Sequence, residues 1–320
     1  MSAGDSAKNL VQGRATPARS GQYSAARGRA LVASAAVFWG TSAALARFVF
    51  HSRKVPPLTV VELRLLIAVV LLGTYLAWRQ PEKLRIAARD LPYFLVLGLF
   101  GVAAIQGSYY YAISTLGVGL AILLQYLAPA LIVLFDLARG ARVRPHLLIA
   151  VAGAACGAAL VVGNIHPGSI HARPLDWAIG FGSAFVFAFY IVASKRGLER
   201  YAPETVVLYT FAIAGIFWAI VTPPWKILGA HYDVSLWLMF LALGVFSTLV
   251  PFLLFYSGLK SMRPSEVGII ATLEPVVAVL ASAFLLGEGL SLLQWLGAAF
   301  VLASAALSSV QAGDSLPTRS

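Results

Sequence analysis

Apolar residues in this chain come in long runs that carry almost no charge. Ten such runs can be marked, at approximately 30–50, 58–78, 91–113, 118–138, 146–163, 175–194, 204–222, 235–257, 265–286 and 290–310. Each is long enough to cross a hydrocarbon core of roughly 30 Å as a helix. Backbone groups in lipid must be satisfied within the segment, so helices are predicted throughout. The alternation of about ten residues per crossing that marks a membrane barrel is absent. The connections are short except the one near 223–234, where Pro223, Pro224, Trp225 and Trp237 lie close to a membrane interface.

Composition agrees with this pattern. Of 320 residues, 59% are hydrophobic and 12% charged, with a mean hydropathy of +0.82. A soluble chain of this length would suggest two domains, but this one would expose far too much apolar surface in water, so the lipid bilayer is its solvent. The net charge of +11 raises the question of nucleic acid or an anionic surface. No compact basic domain or base-stacking motif is present, and no nucleic-acid partner is expected. The single cysteine, Cys156, excludes an intrachain disulfide and reads as a small packing residue.

Instead, the basic residues report orientation. One side holds Lys8, Arg14, Arg19, Arg27 and Arg29, then Arg79, Lys83, Arg85 and Arg89, then Arg139, Arg142 and Arg144. It also holds Lys195, Arg196, Arg200, Lys260, Arg263 and Arg319, for 18 in all, against 4 on the other side (Arg53, Lys54, Arg173, Lys226). The excess marks the cytoplasmic side, so both termini are expected in the cytoplasm of a multi-pass cell-membrane protein. Residues 1–29 are expected to be a disordered cytoplasmic tail, and 311–320 a second cytoplasmic tail. Ala44-Leu45-Ala46 imitates a signal-peptidase site, but the apolar run continues to Phe50 and its removal would break the helix count.

The chain also repeats itself. Leu127-Ala128-Pro129 in the fourth run corresponds to Leu273-Glu274-Pro275 in the ninth, and Tyr110 precedes the first tripeptide as Tyr256 precedes the second. Trp39 with Arg47 parallels Phe187 with Lys195. Beyond the prolines, Arg144 to Gly153 matches Glu288 to Gly297, allowing for two extra residues. Five crossings are an odd number, so a second copy enters the membrane from the opposite side. The predicted fold is an all-α membrane protein of ten transmembrane helices in two inverted five-helix repeats, at 30–163 and 175–310, joined by an external connection at 164–174.

Particular residues carry a family resemblance. Trp39-Gly40-Thr41-Ser42, Leu63-Arg64-Leu65-Leu66-Ile67-Ala68, Leu273-Glu274-Pro275, Leu286-Gly287-Glu288 and Leu293-Gln294-Trp295-Leu296-Gly297-Ala298 resemble the EamA family of ten-helix carriers in the drug/metabolite transporter superfamily. The resemblance covers roughly 30–310. In the first half an Arg-rich turn ending in Arg144 replaces the expected Gly-Glu. The resemblance implies a secondary carrier, often an exporter of amino acids, related metabolites or drugs.

Charges inside crossings cost roughly 2.5–3.5 kcal/mol each on insertion scales and call for an account. Glu274 lies about 13 Å into its run, near the midplane, beside Pro275. It is a candidate to exchange a proton or to meet a cationic group; the alternative is a carboxyl that bridges helices. Arg64 lies about 9 Å in and could bind a substrate carboxylate or snorkel outward; Glu62 faces another side and is a poor partner for it. Arg47 and Lys195 read as interface anchors, and Asp136 and Glu266 as local partners of Arg139 and Arg263. Pro129 and Pro275 are matched helix interruptions, which point to a site at the repeat interface. Trp39, Gln106, Tyr110, Gln125, Tyr126, Tyr190, Tyr209 and Tyr256 lie at similar depth and could line a cavity there, although ordinary helix packing is the favoured role for any one of them.

The expected function is alternating-access transport of a small metabolite, as an exporter, around a cavity formed by the first, second, third, fourth, sixth, eighth and ninth helices. The partners are the bilayer, the small-molecule substrate and a possible proton. No cofactor or metal is expected. A channel or a scaffold is the alternative. An enzyme is disfavoured because the five histidines fall in connections or at run ends and no His-Glu-x-x-His motif occurs. The chain has no ATP-binding phosphate loop, so an ion or substrate gradient would supply the energy.

Overall fold

The computed structural model describes residues 17–116, 118–141, 143–162, 173–286 and 291–309. Ten long helical segments account for nearly all of them. They are α1 (Pro17–His51), α2 (Pro57–Arg79), α3 (91–116), α4 (118–138), α5 (Pro145–Val162), α6 (Pro174–Leu198), α7 (Pro203–Val221), α8 (Val234–Ser261), α9 (264–286) and α10 (Leu292–Ser309). By length and composition α2 to α9 can each cross a membrane, α10 is a shorter apolar helix, and α1 carries the run at 30–50. No strand occurs among the described residues. Proline opens α2, α5, α6, α7 and α9, where its missing amide costs nothing and its fixed φ suits the first turn.

The face at which α1 ends is termed distal here, and the opposite face proximal. α5 lies along α10, α2 along α7, and α4 meets α9. α1 packs on α8 and α9, and α6 packs on α3 and α4. Replacing every helix by the one five places along exchanges these last two sets of contacts. Glycine sets the closest approach. A Cβ on Gly157 would meet the Gly297 carbonyl at 2.8 Å, and one on Gly297 would meet the Gly157 carbonyl at 2.7 Å, so α5 and α10 touch backbone to backbone.

Two expectations need correction. α1 begins at Pro17, inside the stretch predicted to be a disordered tail. It is held by a second small-residue crossing: a Cβ on Gly258 of α8 would lie 2.6 Å from the Gly28 carbonyl, so the basic stretch docks on α8. Cys156 does not serve packing, because it is exposed on α5. The matched Glu288, the connection 164–174 up to residue 172 and the C-terminal tail lie outside the described residues.

The connections tie the halves together in two equivalent places. Arg53, two residues beyond α1, pairs with Asp233 at the start of α8. On the proximal face Arg200, two residues beyond α6, pairs with Asp90 directly before α3 at 3.0 Å. The proximal latch is larger. Tyr201 donates its hydroxyl to Asp90 at 2.6 Å, Lys83 pairs with Glu204 at 2.9 Å, and Thr205 donates to the Lys83 carbonyl at 2.8 Å. Pro-X-Thr-Val-Val stands at 57–61 and again at 203–207, opening the two helices that leave these latches.

Two predictions follow from this packing. Gly157→Leu or Gly297→Leu must push two backbones apart; overpacking of about 1–3 kcal/mol is expected to lower the thermal midpoint in detergent by several degrees. Gly182→Ala, whose added carbon meets nothing within 4 Å, should leave it unchanged. Asp233 accepts the Leu236 amide and is bonded by Arg53, which together hold its carboxyl below the ordinary value of 3.8. A carboxyl depressed by folding stabilises above its unfolded value and loses that contribution as pH falls through the folded one. Wild type should therefore be more stable than Asp233→Asn at neutral pH, and the gap should close only below about pH 3.8.

Candidate functional site

Both helices that carry the repeated proline are broken beside it. α4 is interrupted at Tyr126–Leu127 and α9 at Thr272, because Pro129 and Pro275 have no amide for the carbonyl four residues earlier. The breaks meet. Pro129 packs on Gly268 of α9, where an added Cβ would lie 3.2 Å from its ring, and the Tyr126 hydroxyl donates to the Glu274 carboxylate at 2.6 Å. α1 presses on the same point, since a Cβ on Gly40 would meet the Glu274 carbonyl at 2.8 Å. Glu274 itself is half-buried and Pro275 buried.

A second pair of irregularities has no signature among the apolar runs. α3 contains a π-helical stretch at Leu97–Ala103 and α8 one at Val245–Leu249. Such stretches widen the turn and leave backbone and side chains free for other partners. Ser247, in the α8 stretch, accepts from Arg64 at 3.1 Å. Arg64 is buried at 7% exposure, and its guanidinium stands 6.0 Å from the Tyr110 ring centre, a cation–π distance. Arg64 does not snorkel; it points inward. It lies within electrostatic range of Glu274 and of Tyr109. Neither Arg64 nor Glu274 has an ion-pair partner among the described residues.

Aromatic rings close the proximal side of this region. Tyr126 meets Phe187 edge-on at 6.2 Å, Phe187 stacks on Tyr190 at 6.3 Å, and Tyr190 stacks on Phe255 at 6.1 Å. Trp39 contacts Phe255 and, at 5.1 Å, Phe252. Tyr256 is fully buried in the same cluster and accepts from Ser194 at 3.2 Å.

The structure thus brings Glu274, Tyr126, Arg64 and Tyr110 into one region and puts Trp39, Tyr190 and Tyr256 in the plug beneath it. Gln125, at the end of the first piece of α4, and Gln106 are buried. Tyr209 belongs elsewhere: its hydroxyl donates to the Leu84 carbonyl at 2.6 Å in the proximal latch. Lys195 binds the Leu259 and Lys260 carbonyls at 2.9 and 2.8 Å, capping the C-terminus of α8 rather than merely anchoring at an interface. Asp136 lies within range of Arg263 and Arg139. The side chain of Arg47 is outside the described residues. α7, omitted from the expected ring of helices, contributes Phe211, which meets Phe252 at 4.9 Å.

A bundle of lipid-crossing helices with broken, polar centres defines a membrane transporter. The chain belongs to the EamA-like transporter family, which it matches over residues 26–163 and again over 177–310. It is 30% identical over 293 residues to the uncharacterized inner membrane transporter YicL of Salmonella typhimurium, covering 89% of this chain and 95% of that protein. It is 26% identical over 277 residues to the threonine/homoserine exporter RhtA of Escherichia coli K12, covering 86% and 88%. A solved crystal structure with 23% identity superposes with a TM-score of 0.72 over 89% of this chain and 97% of that one, and shares the fold.

Tyr126→Phe removes the only hydrogen bond described to Glu274. A bond to a charged group is worth about 1.5–3 kcal/mol, so the thermal midpoint should fall by several degrees. In a Glu274→Gln background the same change should cost far less, and a double-mutant cycle measures the difference.

Proposed function

We propose that this protein is a secondary carrier that exports a small zwitterionic metabolite of the amino-acid class by alternating access. One observation carries the reading: a buried cation and a carboxylate, each without an ion-pair partner among the described residues, face a common set of tyrosines within electrostatic range. Two opposite charges held apart suit a substrate that carries both. Its carboxylate would replace the hydroxyl partner of Arg64, which presents a planar fork for bidentate contact, and its ammonium would meet Glu274. Tyr109, Tyr110 and Tyr126 would enclose the stem between them. The threonine/homoserine exporter among the relatives acts on molecules of this kind.

On this reading the two five-helix halves are related by a two-fold axis in the membrane plane. The repeated family match, the paired breaks at Pro129 and Pro275, the paired π stretches and the two equivalent latches support it. The proximal face, the side to which the sequence assigns 18 of the basic residues, is cytoplasmic. Outward opening would release Arg53 from Asp233, and inward opening would release Arg200 from Asp90 and part the aromatic plug.

The test is counterflow in proteoliposomes, first with threonine and homoserine, alongside tolerance of cells to toxic amino-acid analogues. Saturable exchange accelerated by internal substrate is expected, and a non-saturating flux would identify a channel instead. Glu274→Gln and Arg64→Gln should each reduce exchange at least about tenfold, the loss of one charged contact. Wild-type rates in either folded variant would overturn the assignment of that charge.

A further inference from the structure

Glu62 is a second intramembrane carboxyl, and the substrate site does not use it. It is 0% exposed, and neither of its oxygens has a hydrogen-bond partner among the described residues. Arg64, two residues on, is turned about 200° away around the helix and is committed to Ser247 and Tyr110. A carboxylate sealed without donors would cost several kcal/mol, whereas a neutral acid in the same place needs far less.

The surroundings of Glu62 can be placed. Gly73 of α2 faces Leu208 of α7, and Gly215 of α7 faces Leu65 and Leu66 of α2. This antiparallel register sets Glu62 level with Trp218, whose buried indole N–H likewise has no partner among the described residues. The other titratable groups on elements packed against α2 are engaged elsewhere or lie at other depths. On α7, Glu204 and Tyr209 belong to the proximal latch; on α8, Asp233 belongs to the distal latch, and Tyr256 and Lys260 are proximal. In the connection before α8, Lys226 and His231 lie at the distal end, and Tyr232, packed on the same apolar cluster, bonds Thr59 of α2. The turn after α2 has Glu82 and Lys83, and α3 has Tyr109, Tyr110 and Tyr111. None of them is a hydrogen-bond partner of Glu62. Above Glu62, only five residues from the start of α2, stand Val55, Val60, Ile227 and Leu236 in one apolar cluster, closed by the Arg53–Asp233 latch. The equivalent position in the second half is Leu208, so the proximal gate has no carboxyl at that place.

We propose that Glu62 is a proton-binding site of the distal gate: closing the gate takes one proton from the distal solution onto the Glu62 carboxylate, and opening releases it as water reaches the side chain. The gate function rests on the carrier reading; the protonation does not. The carboxyl and the proton are the only reactants, and the closed gate leaves the neutral acid without a charged partner among the described residues.

Infrared difference spectra of the reconstituted protein at pH 7 test the protonation. The carbonyl band of a protonated carboxyl should disappear in Glu62→Gln and persist in Glu274→Gln. A spectrum unchanged by Glu62→Gln overturns the proposal, whatever transport assays give. Threonine counterflow tests the gate. Wild-type exchange should slow as the distal solution is acidified, by at most about tenfold per pH unit for each proton bound, while Glu62→Gln should show a shallower profile, with Glu274 the carboxyl left to titrate. A variant that keeps the wild-type profile overturns the link between proton and gate. Glu62→Asp, which retains the acid, should restore both the band and the slope, and covers the case in which Glu62→Gln does not fold.

Discussion

Proline has no amide hydrogen, and a bilayer offers none in its place. Each of Pro129 and Pro275 therefore leaves a carbonyl that lipid cannot satisfy, and broken backbone at that depth is tolerable only where protein encloses it. Much of the bundle follows from that need. α4 and α9 turn their breaks toward each other, α1 and α6 cover them from either side, and Gly40 and Gly268 let the backbones come close enough to shut lipid out. The polar centre of the protein is where the chain can afford to be irregular.

Two opposite charges in such a centre would ordinarily collapse into an ion pair. Here each is held by a neutral partner, Arg64 by Ser247 and the face of Tyr110, Glu274 by the hydroxyl of Tyr126. These partners are weaker than a salt bridge would be in the same surroundings, and a charged ligand can displace them without leaving a buried ion alone. The π stretch that presents Ser247 is part of that arrangement, because a regular turn of α8 would aim the hydroxyl differently.

The apolar runs were enough to mark nine of the ten helices, and the end of α1, to within a few residues, since a crossing helix has a length set by the membrane and few alternatives. The prolines were legible for the same reason: a missing amide has one local consequence. Arg64 was ambiguous because a long side chain two turns from an interface can point either way, and only Ser247 and Tyr110 decide it. The π stretches left no mark among the runs, as an extra residue in a helix alters neither hydropathy nor length appreciably. Glu62 read as a bystander to Arg64; its isolation is a property of α7 packing over it, which no local pattern encodes. The start of α1 was missed because a polar, glycine-containing stretch looks like a tail until Gly258 is seen waiting for Gly28.

The two latches differ in strength as well as place. Between the connections the distal face has one ion pair among the described residues, Arg53–Asp233, with Tyr111 of α3 donating to Asp176 of α6 nearby at 2.8 Å, while the proximal one joins two ion pairs to hydroxyls from Tyr201, Thr205 and Tyr209. An exposed ion pair is worth up to about 1 kcal/mol, and about 1.4 kcal/mol is tenfold in a population. On the alternating-access reading the empty protein would then dwell mostly with its cytoplasmic door bolted and its outer door on a light catch. A resting bias of that kind acts as a rectifier in an exporter: the inward-open state, in which solutes could leak back or metabolites escape unselected, is the one that costs most to visit.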